Sequence, residues 1–378
     1  MPLRSIDATP VPYQPGKSLE LEVLENCCCN LPFPQSVTAV ISKTFDMTMS
    51  PVMDVTINTK SGSDIRAVLK LYDRRFGTDL RSIRGKHVPH TPADEAAFQS
   101  FVRRGDIVPL LRELEEEKKT ALIMPKAWHL LDGTPEGRAK YETALWQECN
   151  DYFNCETETY ARLKDLQGRS IPRLYAHVRL ALPSPDVPQD LLQQPQLARY
   201  LEVKGILLGL ILGYSLWDLA TSPLSPSDHK IWPGIVQSAV DAAHDINRRG
   251  ILMDDCEPRN VIVDKRSQSP FIIDLSQCCF KDKLIEAWKN TEESDEEVQD
   301  WDPDVEYWER AMDRDNPGAI GAVMTTRLLK AKGFKLDIKY TDYNKIIEDI
   351  KCRKAGSSTI ENHGSGGPEG CREGRPVM

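Results

Sequence analysis

Alternating apolar and polar positions predict a sheet in the first part of the chain. The alternation covers residues 37–59 and residues 65–72, and a period of two residues is typical of strands with one buried face. It predicts three strands with the sequences VTAVIS, MDVTINT and IRAVLKLY, and a turn at KSGSD between the last two. The chain begins with a proline-rich stretch, and we expect residues 1–30 to form a loose N-terminal segment.

Apolar residues spaced three and four apart predict two long helices. The first covers about residues 136–166 and ends where QGRSIP supplies a glycine cap. Its apolar stripe consists of Trp146, Cys149, Phe153, Tyr160, Leu163 and Leu166. Glu156 occupies the one gap in this stripe, whereas the neighbouring Glu158 does not. The second helix covers about residues 227–249, with Gly250 as its cap.

Weaker patterns organise the remaining chain. Residues at about 77–135 form a mixed insertion that contains a charged helix, PLLRELEEEKK. Helical patterns return at about residues 305–332 and 342–351. We expect the acidic run at residues 292–309 to be a solvated loop, although it could also bind a basic partner. Residues 353–378 have low complexity and are expected to be disordered.

Two apolar strands with polar ends follow the second helix. NVIVD and PFIID are separated by the five residues KRSQS, a length that joins antiparallel neighbours. Pairing Val263 with Phe271 sets Asn260 opposite Asp274, and directly opposed residues lie about 4.5–5.5 Å apart with their side chains on one face. An amide oxygen and a carboxylate so placed suit one hard cation, Mg²⁺. Asp255 precedes Asn260 on a loop and can face the same space.

This set of groups matches the needs of phosphoryl transfer. A cation gathers negative oxygens, and a carboxylate orients and deprotonates the attacking hydroxyl. Taken singly, each Asp or Asn is more often a turn former whose side chain caps local backbone. The combination of helix, D-x-x-x-x-N, strand, short loop, strand and Asp is much less frequent, and it favours a functional site.

A buried charge pair is predicted near the first sheet. Lys70 lies between apolar neighbours in AVLKLY, where an ammonium needs a counter-charge or loses its proton. Glu156, alone on an apolar helix face, has the complementary requirement. Pairing them satisfies both and fixes the ammonium where it can meet phosphates. The alternative is that Lys70 extends to solvent and Glu156 lies on the surface.

In this order the segments AVLK, MDDCEPRN and IIDLS resemble the signature set of the protein-kinase-like superfamily. Together with CETETYARLKDLQGRSIPRLYAHV and VKGILLGLILGYSL, they are most similar to fungal kinase-like proteins and to aminoglycoside and choline phosphotransferases. The resemblance implies that Asp255 is the base, that Asn260 and Asp274 bind Mg²⁺, and that Lys70, held by Glu156, binds the phosphates of ATP.

Several positions depart from the family pattern. Met253 replaces the histidine of the catalytic loop, so the hydrogen bonds that brace this loop must come from elsewhere. Glu257 replaces a lysine, which removes a positive charge beside the transferring phosphate, and Arg259 has no fixed role in the pattern. No glycine-rich lid precedes Lys70, Leu275 follows the metal-binding aspartate in place of phenylalanine, and no A-P-E segment follows.

The resemblance implies an α+β, bilobed, protein-kinase-like fold. A small antiparallel-sheet N-lobe is expected at residues 31–208, with the insertion at about 77–135, and a mainly helical C-lobe at residues 209–352. The implied activity is that of a protein-kinase-like phosphotransferase, which transfers the γ-phosphate of ATP to a hydroxyl acceptor, either a protein or a small molecule. Two alternatives stay open: a small-molecule kinase of the aminoglycoside type, and a catalytically weak or inactive pseudokinase that acts as a scaffold.

Composition narrows the partners of the protein. Among 378 residues, 57 acidic side chains against 48 basic ones give a formal charge of −9, which argues against a nucleic-acid binder. No apolar run is long enough to span a membrane, and the N-terminus lacks a signal peptide, so we expect a soluble cytoplasmic protein. The cysteines, which include the run Cys27, Cys28, Cys29 and the pair Cys278, Cys279, lack the spacing of a zinc site, and we expect reduced thiols.

Overall fold

The computed structural model describes residues 8–29, 31, 33–58, 64–120, 126–181, 189–291 and 301–361. Its strands are β1 Ser18–Asn26, β2 Ser36–Thr44, β3 Val52–Asn58, β4 Asp64–Tyr72, β5 Ser82–Ile83, β6 Lys86–His87, β7 Leu174–Leu180, β8 Val203–Gly209, β9 Gly213–Ser215, β10 Ile251–Met253, β11 Val261–Asp264, β12 Pro270–Ile272 and β13 Cys278–Phe280. Its α-helices are α1 Pro92–Arg104, α2 Ile107–Thr120, α3 Pro135–Arg162, α4 Gln189–Leu192, α5 Pro195–Ala198, α6 Trp232–Asn247, α7 Lys281–Thr291, α8 Pro303–Arg314, α9 Asn316–Lys332 and α10 Tyr343–Glu361.

Six antiparallel strands close into a barrel in the order β1-β2-β3-β4-β8-β7. The three strands predicted from the alternating pattern are β2, β3 and β4. Their inward residues pack with those of the other strands into an apolar interior, which includes Leu21, Ala39, Ile41, Val55, Ile57, Leu69, Leu71, Val178 and Leu207. The predicted α+β class with an antiparallel sheet is confirmed, and the sheet is closed by a strand that we did not predict.

The closing strand β1 corrects the expected extent of the N-terminal segment. Residues 18–26 pair with β2 on one side and with β7 on the other, so the segment at residues 1–30 is not loose throughout. Tyr13, before the strand, is also fully buried, and its hydroxyl donates to Asp73. The proline-rich composition concealed SLELEVLEN, in which Leu19, Leu21 and Val23 alternate with polar residues as a strand requires.

The long helix α3 connects the barrel to the rest of the molecule. It begins after Thr134, whose hydroxyl accepts from the backbone N–H of Gly137, and it ends at Arg162. The predicted glycine cap is wrong, because Gly168 lies beyond the helix end, in the turn that leads to β7. The cap predicted at Gly250 is also displaced, because Arg248 caps α6. Gly250 lies two residues further, in the turn after the helix, where its φ of 78° lies in the left-handed region that glycine favours.

A second apolar core lies between α3, α6, α9 and the hairpin of β11 and β12. Residues from both predicted helices and both apolar strands meet in it, among them Phe153, Tyr160, Ile235, Ala239, Ile246, Val261, Val263, Ile272 and Met324. The described residues of the range 209–352 contain the helices α6 to α9 and the first half of α10, together with the short strands β9 to β13. The core includes Ile206 and Leu208 of β8, so the barrel and the helices share packed surface.

The insertion and the C-terminal part differ from the predictions in detail. The expected charged helix of the insertion is α2, and α1 precedes it. The acidic run is a helix from Pro303 onward, whereas residues 292–300 lie outside the described residues. The tail expected to be disordered from residue 353 continues α10 as far as Glu361, and residues 362–378 lie outside the described part.

Within the described ranges, no helix combines the length and the apolar character needed to cross a bilayer.

Candidate functional site

Lys70 points out of the barrel and towards α3. Along β4 the side chains of Leu69 and Leu71 enter the barrel interior, while Val68 and Tyr72 face the helical core on the other side. Lys70 shares this outer face, because alternate residues of a strand point the same way. Its side chain is only 7% exposed, so the alternative of an ammonium in solvent is wrong.

Glu156 meets Lys70 across the interface between strand and helix. Its carboxylate is fully buried, and Oε2 lies 2.7 Å from the Lys70 ammonium. The hydroxyl of Tyr72 donates to the same oxygen, and the backbone N–H of Leu275 donates to Oε1 at 3.3 Å. A buried carboxylate needs such donors to offset its lost hydration. The predicted pairing is thereby confirmed, and two further donors support it.

Asp274 is the second partner of Lys70. The ammonium lies 2.6 Å from Oδ1 of Asp274, which also accepts from the hydroxyl of Ser276 at 2.8 Å. Burial by itself disfavours the ammonium, but the charges of Asp274 and Glu156 outweigh this and raise the pKa of Lys70. Burial likewise opposes the ionised Asp274, and Lys70 outweighs it, so the pKa of Asp274 is lowered. Both groups are therefore charged at neutral pH.

The predicted hairpin forms between β11 and β12, with a register one residue away from the predicted one. Val261 pairs with Ile272, Ile262 with Phe271 and Val263 with Pro270, and the N–H of Ile273 donates to the carbonyl of Asn260. The predicted opposition of Asn260 and Asp274 is therefore wrong.

A left-handed residue explains why Asp274 still reaches the site. Asp274 has a φ of 60° and lies beyond the last paired residue of β12. Strand alternation no longer sets its side-chain direction at that point, because the backbone has turned out of the extended conformation. Its carboxylate instead faces Lys70 and remains 32% exposed. A positive φ is costly for a residue other than glycine and is typical of functional positions.

Asp255 and Asn260 form the other half of the site. The amide nitrogen of Asn260 donates to the carbonyl oxygen of Asp255 at 2.9 Å and to its Oδ2 at 3.0 Å. Both partners are acceptors only, so the amide orientation is determined: its oxygen points away from Asp255. Arg259 donates to Oδ1 of Asp255 at 2.9 Å, and the Asp255 side chain is 27% exposed.

The donor set of the hairpin fits a hard cation. Among the described residues, nothing donates to the amide oxygen of Asn260, so this oxygen is available as a ligand, and the partly exposed Asp274 supplies a carboxylate. Both belong to the ends of one hairpin, and Mg²⁺ prefers oxygen ligands of these two kinds. Asn260 and Asp274 therefore fit the role of magnesium ligands.

The loop with Asp255 is braced by a residue that the sequence did not reveal. Asn316, at the start of α9, accepts from the N–H of Met253 at 3.1 Å and donates to its carbonyl oxygen at 2.7 Å. The thiol of Cys256 donates to the carbonyl oxygen of Asn316 at 3.4 Å. Asn316 is 2% exposed. These bonds fix the loop at Met253 and Cys256, and no spacing rule in the sequence links Asn316 to the loop.

The five predicted site residues form two bonded groups. Lys70 joins Glu156 and Asp274, while Asn260 joins Asp255. Among the described side chains, no hydrogen bond or ion pair connects one group with the other, and the backbone of the hairpin relates them. Further residues at the site were missed: Tyr72, Ser276 and Asn316. Of these, only Tyr72 carried a signal, because it shares the face of Lys70 at a spacing of two.

A cavity of about 1040 Å³ lies beside the site without including it. It borders Tyr72 and is lined by residues of the N-terminal segment, α1, α3 and β8, and by none of the five predicted site residues. Charged side chains on its wall have partners of their own: Arg75 binds Asp73 at 2.8 Å, and Lys204 donates to Asn150 at 2.9 Å. The cavity does not coincide with the predicted chemistry.

Comparison with known proteins leaves the family open. A scan against models of protein families finds none that matches the chain, and a search of curated proteins finds no significant match.

Proposed function

We propose that the protein is an ATP- and Mg²⁺-dependent phosphotransferase that transfers the γ-phosphate to a hydroxyl acceptor. The observation that carries the proposal is the position of Lys70, whose ammonium contacts the buried Glu156 and the partly exposed Asp274. One carboxylate neutralises one ammonium, whereas this ammonium contacts two and leaves the cluster with one net negative charge. An ammonium held by one buried acid and presented beside a second acid that reaches solvent is arranged to meet phosphates and their metal.

Each residue has a role that follows from its contacts. Mg²⁺-bound ATP, when present, supplies the phosphoryl group and the charge neutralisation that the transfer needs. Lys70 would hold its α- and β-phosphates, while Asn260 and Asp274 would hold the metal through their side-chain oxygens. Asp255 accepts the proton of the acceptor hydroxyl, and its bond from Asn260 keeps the carboxylate oriented.

Arg259 offers a replacement for the lysine that Glu257 removes. Its guanidinium lies 2.9 Å from Asp255 and 3.3 Å from Glu257, and its side chain is 60% exposed. The pair of carboxylates holds the cation at the mouth of the loop. In this proposal Arg259 supplies the positive charge near the transferring phosphate, and Glu257 positions it.

The kinase-like resemblance receives support from the sheet. Without β1, the order β2-β3-β4-β8-β7 is an open antiparallel sheet, with the lysine on the third strand of a meander and its glutamate on the adjacent long helix. A strand-three lysine paired with a helix glutamate is the arrangement of protein kinases. We propose on this basis that residues 31–208 and 209–352 correspond to the two lobes.

The segment after Asp274 favours a small acceptor. Leu275 to Phe280 lead directly into α7, and Cys278 to Phe280 pair with β10. This short connection leaves no long segment on which a peptide substrate could lie. A small hydroxyl-bearing molecule is therefore the second candidate acceptor beside a protein.

The connection between β2 and β3 favours the scaffold alternative. It lies where a lid would cover the phosphates, and its carbonyls at Met47 and Thr48 accept from the N–H groups of Thr78 and Asp79. The connection is thereby anchored to the segment after β4. An anchored connection without glycine covers phosphates less readily than a glycine-rich loop.

The test combines turnover with ligand-dependent stability. We expect Mg²⁺ and ATP together to raise the melting temperature of the full chain, and labelled ATP to be turned over. Asp274→Asn should lose the Mg²⁺-dependent part of the shift and the turnover. Asp282→Asn, on the exposed surface of α7, is the matched control and should behave as wild type. If ATP raises the melting temperature but is not turned over, the protein is a nucleotide-binding scaffold. If Asp274→Asn keeps both the Mg²⁺-dependent rise in melting temperature and the turnover of wild type, the proposal is contradicted.

A further inference from the structure

The seam where β1 meets β7 brings three possible metal ligands together. Glu25 lies directly opposite His177 in the register of these strands. A bulge between Val23 and Glu25 shifts the alternation of β1, so that Glu25 shares a face with His177. Cys27 follows two residues later, and its N–H donates to the carbonyl of Tyr175, which continues the pairing. The thiol is therefore the diagonal neighbour of His177 on one face.

The three side chains are close enough to bind one ion. A carboxylate oxygen of Glu25, the sulfur of Cys27 and a ring nitrogen of His177 all lie within 4.8 Å of one another. Oε2 of Glu25 is 3.1 Å from Nδ1 of His177. Since zinc ligands lie about 2.0–2.3 Å from the metal, small rotamer changes suffice to bring these atoms onto a common ion.

The chemical types of these three ligands favour one class of metal ion. Thiolate, imidazole and carboxylate are the usual ligands of Zn²⁺, whereas Mg²⁺ and Ca²⁺ prefer oxygen alone. A thiolate and a carboxylate together balance the charge of a divalent cation. Nε2 of the His177 ring is buried and has no hydrogen-bond partner among the described residues.

We propose that Glu25, Cys27 and His177 form a binding site for a borderline-soft divalent cation of the Zn²⁺ class. The three ligands leave a fourth position open to water. A bound cation stabilises the thiolate form of Cys27 directly.

Cobalt titration tests the site. The full chain, reduced with a phosphine and free of other metals, is titrated with Co²⁺ alone, and Zn²⁺ is then added as competitor. We expect a thiolate-to-cobalt charge-transfer band that saturates and is abolished by Zn²⁺. Cys27→Ser should abolish the band and weaken binding by at least the roughly 10–100-fold that loss of a supporting residue costs. Cys352→Ser, at an exposed cysteine in α10, is the matched control and should keep it.

A second variant, at Glu25, distinguishes loss of the site from misfolding. His177 is unsuitable for this purpose, because it packs against Phe153 and its replacement would disturb the core. Glu25 is 65% exposed, so Glu25→Gln should fold normally and still weaken Co²⁺ binding with a shifted band. A Cys27→Ser protein that keeps the wild-type band and affinity overturns the proposal. The same holds for a wild-type protein that shows no thiolate band.

Discussion

Two fully buried glutamates on α3 have opposite surroundings. Glu142 and Glu156 lie on the same face, about four helical turns apart, and each receives a basic side chain from β4 or the segment after it. Glu142 binds Arg81 at 2.7 Å and Arg74 at 2.5 Å. Glu156 binds Lys70, which extends to a further carboxylate. The two clusters differ in the further contacts that these basic side chains form.

The cluster at Glu142 is closed. Arg74 also binds Glu95, so the formal charges of two arginines and two glutamates cancel. Arg81 is 1% exposed, and its remaining donors reach the carbonyls of Val88 and Arg74. Such a network has no charge left for a ligand, and its function is structural.

The cluster at Glu156 is open. One ammonium faces two carboxylates, which leaves one net negative charge, and Asp274 retains access to solvent. Excess charge at an accessible carboxylate attracts a cation, and burial alone does not mark a site. Charge balance and the exposure of the last partner thus distinguish the two clusters.

The largest expected effect is a loss of catalytic rate when Asp255 is replaced. Asp255→Asn keeps the shape of the side chain but removes the proposed base, so the proposed phosphoryl transfer should fall by about 10²–10⁴-fold. Measured turnover of labelled ATP at saturating Mg²⁺ is the readout. Asp254→Asn changes the preceding residue, which pairs with Arg314 at the surface, and should leave the rate within a few-fold. Equal rates for both variants contradict the role of Asp255.

Replacing each of the two glutamates by glutamine should separate the effect on stability from the effect on ATP binding. Glu142→Gln leaves Arg74 and Arg81 buried without their shared carboxylate, which should lower the free energy of unfolding by about 3–5 kcal/mol. Glu156→Gln should cost less stability, because Asp274 still neutralises Lys70, and should weaken ATP binding. Urea unfolding and calorimetric titration with Mg²⁺ and ATP give both quantities. Weakened ATP binding in a folded Glu142→Gln protein would count against the distinction.

Glu148, between the two on α3, provides a pH-dependent test. No described side chain forms an ion pair with it, and burial raises its pKa from 4.5 to about 7. Between these values the carboxyl is protonated in the folded protein and ionised in the unfolded chain, so stability falls as the pH rises from about 4.5 to about 7. Above about pH 7 the lost stability is not regained, because the carboxyl is then ionised in both states.

Glu148→Gln removes this penalty. The variant should match wild type at pH 4 and be more stable at pH 8, by up to about 3 kcal/mol, since one pKa unit corresponds to about 1.4 kcal/mol. Urea unfolding at both values measures it. Glu158→Gln is the control: Arg162 and Lys283 overcome its partial burial and lower its pKa, so it should bring no gain at pH 8. A Glu148→Gln protein without added stability at pH 8 shows the helix to be more hydrated there.

The smallest effect on stability is expected for Asn316, which braces the loop that contains Asp255. Asn316→Asp still accepts from the N–H of Met253 but cannot donate to its carbonyl, so about 1–3 kcal/mol of stability should be lost. Turnover should fall as well, because Asp255 lies two residues after Met253. Asn344→Asp, at an exposed position of α10, serves as control for the added charge. Unchanged unfolding in urea would show that the loop is braced by other contacts.

Local patterns predicted most elements and the contact between Lys70 and Glu156. Alternation located β2, β3 and β4, and the three-four spacing located α3 and α6. The Lys70–Glu156 pair was predictable because each charge lies alone in an apolar stripe. β1 was missed because proline-rich flanks outweighed a short alternating run, and Glu142 was missed because its arginines lie outside any recognised pattern.

The sequence by itself determined which residues are charged within apolar stripes, and hence which charges need partners. Only the tertiary structure decided how those partners are completed. The register shift and the left-handed Asp274 place its carboxylate beside Lys70, and barrel closure through β1 sets Glu25 and Cys27 beside His177. The physical reason is that such contacts join residues far apart in sequence through pairing and packing, which no local period encodes.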